Sequence, residues 1–309
     1  GIGLIALLTL FPLGALRMMQ AIQDDRCASA VRNADAIATM KNVRNDPLVR
    51  SPLWFSKIDV FKDIPVGVSR LAADPNGPSY PVLVDPLGVQ NSLAGAAQHW
   101  VCGNTPYKGL IARCPVSFVN NTTDAYKWFT LLDDCQFSSD ELATGGRALT
   151  FPPSTGIRRD TRYSWAYLVQ RPRSSDSSIA TCSVVVFDKR PLSLSTKLAL
   201  AESAYSANFD PTTNRITVSW GNASPPSVRT GDWILDCTLV TTTGQHGSAH
   251  GYFYRVVGIA EGVNEQGAPV LQYEVQQPIR GFSAPAAGTI MVLEGIADVY
   301  DRGLDRKFD

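Results

Sequence analysis

The stretch "GIGLIALLTLFPLGALRMMQAIQDDRCASAV", residues 1–31, changes character at Arg17: sixteen residues without a charge give way to a mixture of charge and alanine. A helix that crosses a bilayer needs about 20 predominantly apolar residues. Residues 1–16 stop short of that length. A secretory signal would carry a basic region before its apolar one and a small-residue cleavage site after it, whereas Leu16 runs straight into Arg17-Met18-Met19. The segment therefore reads as the remainder of a single-pass span, on the order of ten residues having preceded it. Its apolar positions are Ile2, Leu4, Ile5, Leu7, Leu8, Leu10, Phe11, Leu13 and Leu16. Pro12 removes the hydrogen bond to the Leu8 carbonyl, and Gly14 adds backbone freedom beside it.

Helical periodicity continues past Arg17. Ile22, Cys27, Ala30, Val31, Ala34, Ile37, Ala38 and Met40 recur at spacings of three and four, with Asp24, Asp25, Arg26, Arg32, Asp35 and Lys41 on the other faces. One helix is expected from the first residue to Asn45, where Asp46-Pro47 stops it. At the usual rise it would be about 65 to 70 Å long, a membrane part followed by an amphipathic stem.

An apolar helix broken by Pro12 and Gly14, running into an alanine-rich stem and then a mainly β region, resembles the type IV pilin and type II secretion pseudopilin superfamily. The first thirty residues are similar to the N-terminal helix of the large pilin-like proteins, with a prepilin-type cleavage and methylation segment, of planctomycete bacteria. "RYSWAYLVQRP", "GDWILD", "GYFYRVVGI" and "MVLEGIADVY" also resemble that group. The family's basic leader, its cleavage site and the early Glu of its mature helix are absent from this sequence, as expected of a chain that begins inside the helix. The resemblance implies a structural subunit without catalytic activity, of minor type by analogy, in a type IV pilus or type II secretion pseudopilus. It also implies inner-membrane insertion before assembly, with the soluble part in the periplasm or on a surface filament. The implied partners are other pilin or pseudopilin subunits, the prepilin peptidase and the assembly machinery.

Downstream, Pro47 to Pro86 reads as an irregular meander, and Asp124 to Leu132 as a short helix capped by Thr122-Thr123. "RYSWAYLVQ" and "TCSVVVFDKR" read as a long-looped hairpin, and "RITVSW", "DWILDCTLV", "YFYRVVGIAE", "VLQYEVQQPI" and "TIMVLEGIADVY" as five later strands. The expected fold is α+β: the long helix, then mainly antiparallel β ending in a small C-terminal β-barrel or sandwich. The expected domains are the helix at 1–46, a pilin-like head at 47–200 and a β domain at 212–309, the boundary resting on "STKLALAESAYSANFDP".

Composition narrows the function classes. A formal charge of +0 with pI near 7.0 provides no basic field for phosphates, so no nucleic-acid partner is expected. A mean hydropathy of -0.04 averages the apolar opening with a polar remainder. Cys27, Cys102, Cys114, Cys135, Cys182 and Cys237 include no C-x-x-C, which removes zinc ribbons and thioredoxin-like motifs. Cys102 and Cys114 bracket a short loop that a disulfide would close, and Cys27 sits on the helix's small-residue stripe. The histidines are His99, His246 and His250. The last two lie in "TTTGQHGSAHG", read as a solvated hairpin tip rather than a metal pair. Asp133-Asp134 lacks an EF-hand context, and Gly145-Gly146 lacks a nucleotide-binding one. Trp54, Trp100, Trp128, Trp165, Trp220 and Trp233 are scattered and read as core rather than a sugar-stacking platform. No cofactor or metal is expected. The alternative function is that of a membrane-anchored, exported binding protein or hydrolase.

Overall fold

The computed structural model describes residues 2–49, 78–79, 81–85, 111–119, 122–131, 135–137, 157–159, 162–173, 176, 178–190, 202–240 and 248–306, with side chains in the first segment from Gly14 onward. Helix α1 (Ile2–Met40) opens the chain. It ends earlier than Asn45: Asn42 takes a left-handed conformation (φ 48°), and a single 3-10 turn, Val43–Asn45, follows. The short helix α2 covers Thr122–Phe129. The strands up to β6 are β1 (Val82–Val84), β2 (Ala112–Cys114), β3 (Cys135–Phe137), β4 (Ile157–Arg159), β5 (Tyr163–Gln170) and β6 (Ile179–Asp188). Then come β7 (Glu202–Asp210), β8 (Arg215–Ser219), β9 (Trp233–Asp236), β10 (Leu239–Val240) and β11 (Ser248–Ala249). The last four are β12 (Tyr252–Val263), β13 (Pro269–Val275), β14 (Ala286–Leu293) and β15 (Ile296–Arg306).

Strands order as β15-β6-β5-β1-β2 in a five-stranded sheet and as β12-β13-β8-β7-β14-β9 in a closed barrel. Every β5 residue is buried because the sheet is covered on both faces. Tyr163, Trp165, Tyr167 and Val169 point towards α1, whose Cys27, Ala30 and Ala34 pack in the same cluster. Ala166 and Leu168 point the other way, onto Leu235, Cys237, Met291 and Leu293 at the barrel. The described molecule is thus layered as helix, sheet and barrel, with a separate core of Tyr205, Phe209, Ile216, Tyr254, Tyr273 and Ile290 filling the barrel.

The expected fold is corrected in three respects. Among the described residues no helix is long and apolar enough to cross a membrane, because from Gly14 onward α1 carries Arg17 and then Asp24, Asp25 and Arg26. The five-stranded sheet is mixed, since β1 and β2 run parallel. The expected C-terminal barrel does close, from β7 to β14, but the chain does not end in it: Gly295 (φ 81°) turns the chain out of β14, and β15 joins β6 at the edge of the sheet. A glycine suits that turn because the left-handed region costs it nothing.

"STKLALAESAYSANFDP" is not only a boundary, since its second half forms β7, with Tyr205, Ala207 and Phe209 facing into the barrel.

Candidate functional site

Helix α1 divides into a seated half and a free half. Cys27, Ala30 and Ala34 are small enough to let the helix backbone approach the sheet, and all three are buried. There Tyr167 donates its hydroxyl hydrogen to the Ala34 carbonyl at 2.6 Å. Burial pushes the titration of that phenol upward. Arg302 of β15 pairs with Asp35 on the flank. Below the helix, Asp46 accepts from the Ser117 backbone N–H at 2.8 Å and hydroxyl at 2.6 Å, and Lys41 lies over the Trp128 ring at 4.6 Å. These contacts fix the angle at which α1 leaves the body.

From Gly14 to Ile22 every residue is exposed, Gln23 and Arg26 are half-buried, and Cys27 is the first buried residue. Leu16 (58% exposed), Met18 (67%), Met19 (66%) and Ile22 (50%) stand in solvent. The uncovered apolar side chains add a hydrophobic gain that awaits a covering surface. Of the assembly residues expected from sequence, Gly14 and Leu16 lie on this arm, and a Cβ at Gly14 would meet nothing. The side chains of Ile2, Leu4, Ile5, Leu7, Leu8, Leu10, Phe11, Pro12 and Leu13 lie outside the described residues. So does Cys102, while Cys114 is a buried free thiol, pushed up to about 12 by burial and then by the nearby Asp46 carboxylate.

The barrel holds a second arrangement, which the sequence reading missed. His250 is not at a solvated tip; it is buried, and its Nδ1 lies 2.8 Å from Asp236 Oδ2. With the carboxylate accepting, Nδ1 carries the hydrogen. The other oxygen of Asp236 accepts from the Thr238 N–H at 2.9 Å. Gly281 (φ 81°) passes so close that a Cβ there would sit 2.5 Å from Nε2, and Phe282 and Tyr252 flank the ring. The pair ties Asp236 of β9 to the residue between β11 and β12. His246 and Asp133-Asp134 lie outside the described residues. No group of three or more His, Cys, Asp or Glu suited to a metal occurs among the described residues.

A third polar cluster locks the sheet to the barrel. Asp85 after β1 accepts from Arg113 of β2 at 3.1 Å and from Arg190 at 2.8 Å, and Glu202 at the start of β7 takes both arginines. Two cations and two anions balance at a buried junction, as a buried charge requires. Asp85 lies 28 residues from Arg113, and Arg190 lies 12 from Glu202. No local spacing announces the group. The chain matches no family model, no curated protein and no solved structure.

Proposed function

We propose that this chain is a structural subunit, of minor type, in a filament of the type IV pilus or type II secretion pseudopilus kind, and that it assembles through the free half of α1. One observation carries the reading: the stretch of α1 from Gly14 to Ile22 is exposed throughout beside a well-packed body, with Leu16, Met18, Met19 and Ile22 uncovered. Helices that pack side by side bury such residues against one another by ridges and grooves. The sequence ahead of the arm carries no charge as far back as Gly1. The balanced charge of the chain removes phosphate binding as a competing use. Partners in this proposal are other subunits of the pilin or pseudopilin type, together with the prepilin peptidase and assembly machinery that handle such helices. The place of work is outside the cytoplasm, and the chain has no catalytic role.

Sedimentation of the full chain tests this. The wild type should associate as its concentration rises, and Leu16→Glu/Met19→Glu/Ile22→Glu should stay monomeric with an unchanged β-sheet spectrum, since all three side chains are exposed. A wild type that never associates, alone or with related subunits, or a triple variant that associates equally well, would overturn the reading.

A further inference from the structure

Strand β12 is twice as long as the barrel wall it completes. Its neighbour β9 pairs with it only from Tyr252 to Arg255, and Gly231 and Asp232 bond to Val256 just beyond. From Gly258 to Val263 the strand pairs with β13 alone, after a bulge between Val256 and Gly258. The hairpin closes where the Asn264 N–H donates to the Ala268 carbonyl at 2.9 Å. Antiparallel pairing alternates from that point, so Gly262 and Ala260 turn their N–H and C=O groups to Val270 and Gln272 of β13. Ile259, Glu261 and Val263 turn theirs the other way, to an edge that no strand occupies among the described residues. The same stretch carries all the exposed large apolar side chains of the described residues outside α1 and Leu48: Val257 (47% exposed), Ile259 (37%) and Val263 (73%).

An open edge with uncovered β-branched side chains is a template for a further strand. The charges of the hairpin select which strand. Glu261, Glu265 and Glu274 are exposed, and no Lys or Arg occurs between Arg255 and Arg280. An acidic hairpin repels phosphate, so neither nucleic acid nor an anionic lipid surface suits it. A second copy paired edge to edge in full overlap would set Glu261 against Glu261, and like charges directly opposite destabilise a pair. Glu261 has no hydrogen bond or ion pair among the described residues, so its carboxylate is available to an incoming cation. On the other face of the strand Gly258, Ala260 and Gly262 offer almost no side chain, which leaves room for large residues to lie over them. We infer that the edge of β12 from Ile259 to Val263 takes up an extended segment of another protein, with Lys or Arg opposite Glu261, apolar residues opposite Ile259 and Val263, and bulky residues between. Main-chain hydrogen bonds hold the segment, and the Glu261 pair chooses it. This inference stands apart from the assembly reading, because no residue of α1 enters it.

Amide hydrogen exchange of the full chain, labelled with nitrogen-15 and dilute enough to be monomeric, provides the test. In the free chain the amides of Ile259, Glu261 and Val263 should exchange fast, and those of Ala260 and Gly262 slowly. The probe is the peptide acetyl-Thr-Val-Tyr-Lys-Tyr-Val-Thr-amide, which should slow the three fast amides saturably. Glu in place of its Lys, or methyl groups on the amide nitrogens of its Val, Lys and Val, should weaken binding at least about tenfold. Glu261→Lys, a change at an exposed side chain, should reverse the preference between the Lys and Glu peptides. Four results would each overturn the inference: the three amides already slow in the free monomer, slowing that comes with chain concentration alone as self-pairing would give, no slowing by the Lys peptide, or equal binding of the Lys, Glu and methylated peptides.

Discussion

Asp236 and His250 show how one buried carboxylate constrains its surroundings. Both residues are buried, and the ring nitrogen and the Thr238 N–H together satisfy the carboxylate. Removing one partner of such a pair leaves a polar group in a site that water does not reach, and His250→Ala should cost about 3 kcal/mol. Denaturant unfolding at neutral pH measures it, and a midpoint equal to that of the wild type would remove this tie from the account. The pair was hidden in the sequence because its members lie 14 residues apart and "TTTGQHGSAHG" has the composition of an exposed turn. Burial of His250 is imposed by Gly281, Phe282 and Tyr252, none of them adjacent to that turn's tip. Residue chemistry alone did not contain that information.

Elements were more legible than residues. Strands β5, β6, β8, β12 and β13 follow from β-branched and aromatic runs bounded by turn formers. The misreadings have physical causes. Strand β7 carries its inward residues as Tyr205, Ala207 and Phe209 between serine, asparagine and alanine, a weak alternation that the barrel's closure completes. β14 and β15 look continuous because their apolar runs meet at Glu294-Gly295, and only the positive φ of Gly295 separates them. The β7–β8 turn shows how local polar groups fix an element's end. Asp210 accepts from the Thr212 hydroxyl at 2.6 Å and the Thr213 hydroxyl at 2.7 Å, with the Thr212 backbone N–H at 2.9 Å. These bonds hold its carboxyl down to about 2, the Thr212 hydroxyl contributing most. Because the folded value is depressed below the ordinary one of about 3.9, the turn stabilises the fold fully above about pH 4. That contribution is lost as the pH falls from there through about 2. An NMR titration of the Asp210 side chain should give a midpoint near 2, and a midpoint at the ordinary carboxylate value would show that the turn does not hold.

At the scale of the whole molecule, a layered body of sheet and barrel holds a helix by its second half and leaves the first half bare. The seam of Leu235, Met291 and Leu293 against Leu168 and Phe187, with Asp85, Arg113, Arg190 and Glu202 beside it, makes the body rigid enough to fix the arm's direction. The sequence pattern made the stem legible, through Cys27, Ala30 and Ala34 on one stripe. It did not make legible that a strand from the far end of the chain would brace that stem, because the Arg302 to Asp35 pair depends on β15 crossing back to the sheet. The central claim is that the bare half of α1 is the contact by which the chain assembles. The most direct measurement places a photoreactive phenylalanine analogue at Met19, and in a separate variant at the exposed Asn33 on the seated half, and maps crosslinks in cells that produce the full chain. The account predicts that Met19 crosslinks to the N-terminal helix of another subunit while Asn33 does not. Crosslinks absent at Met19, or equally abundant at both positions, would contradict it.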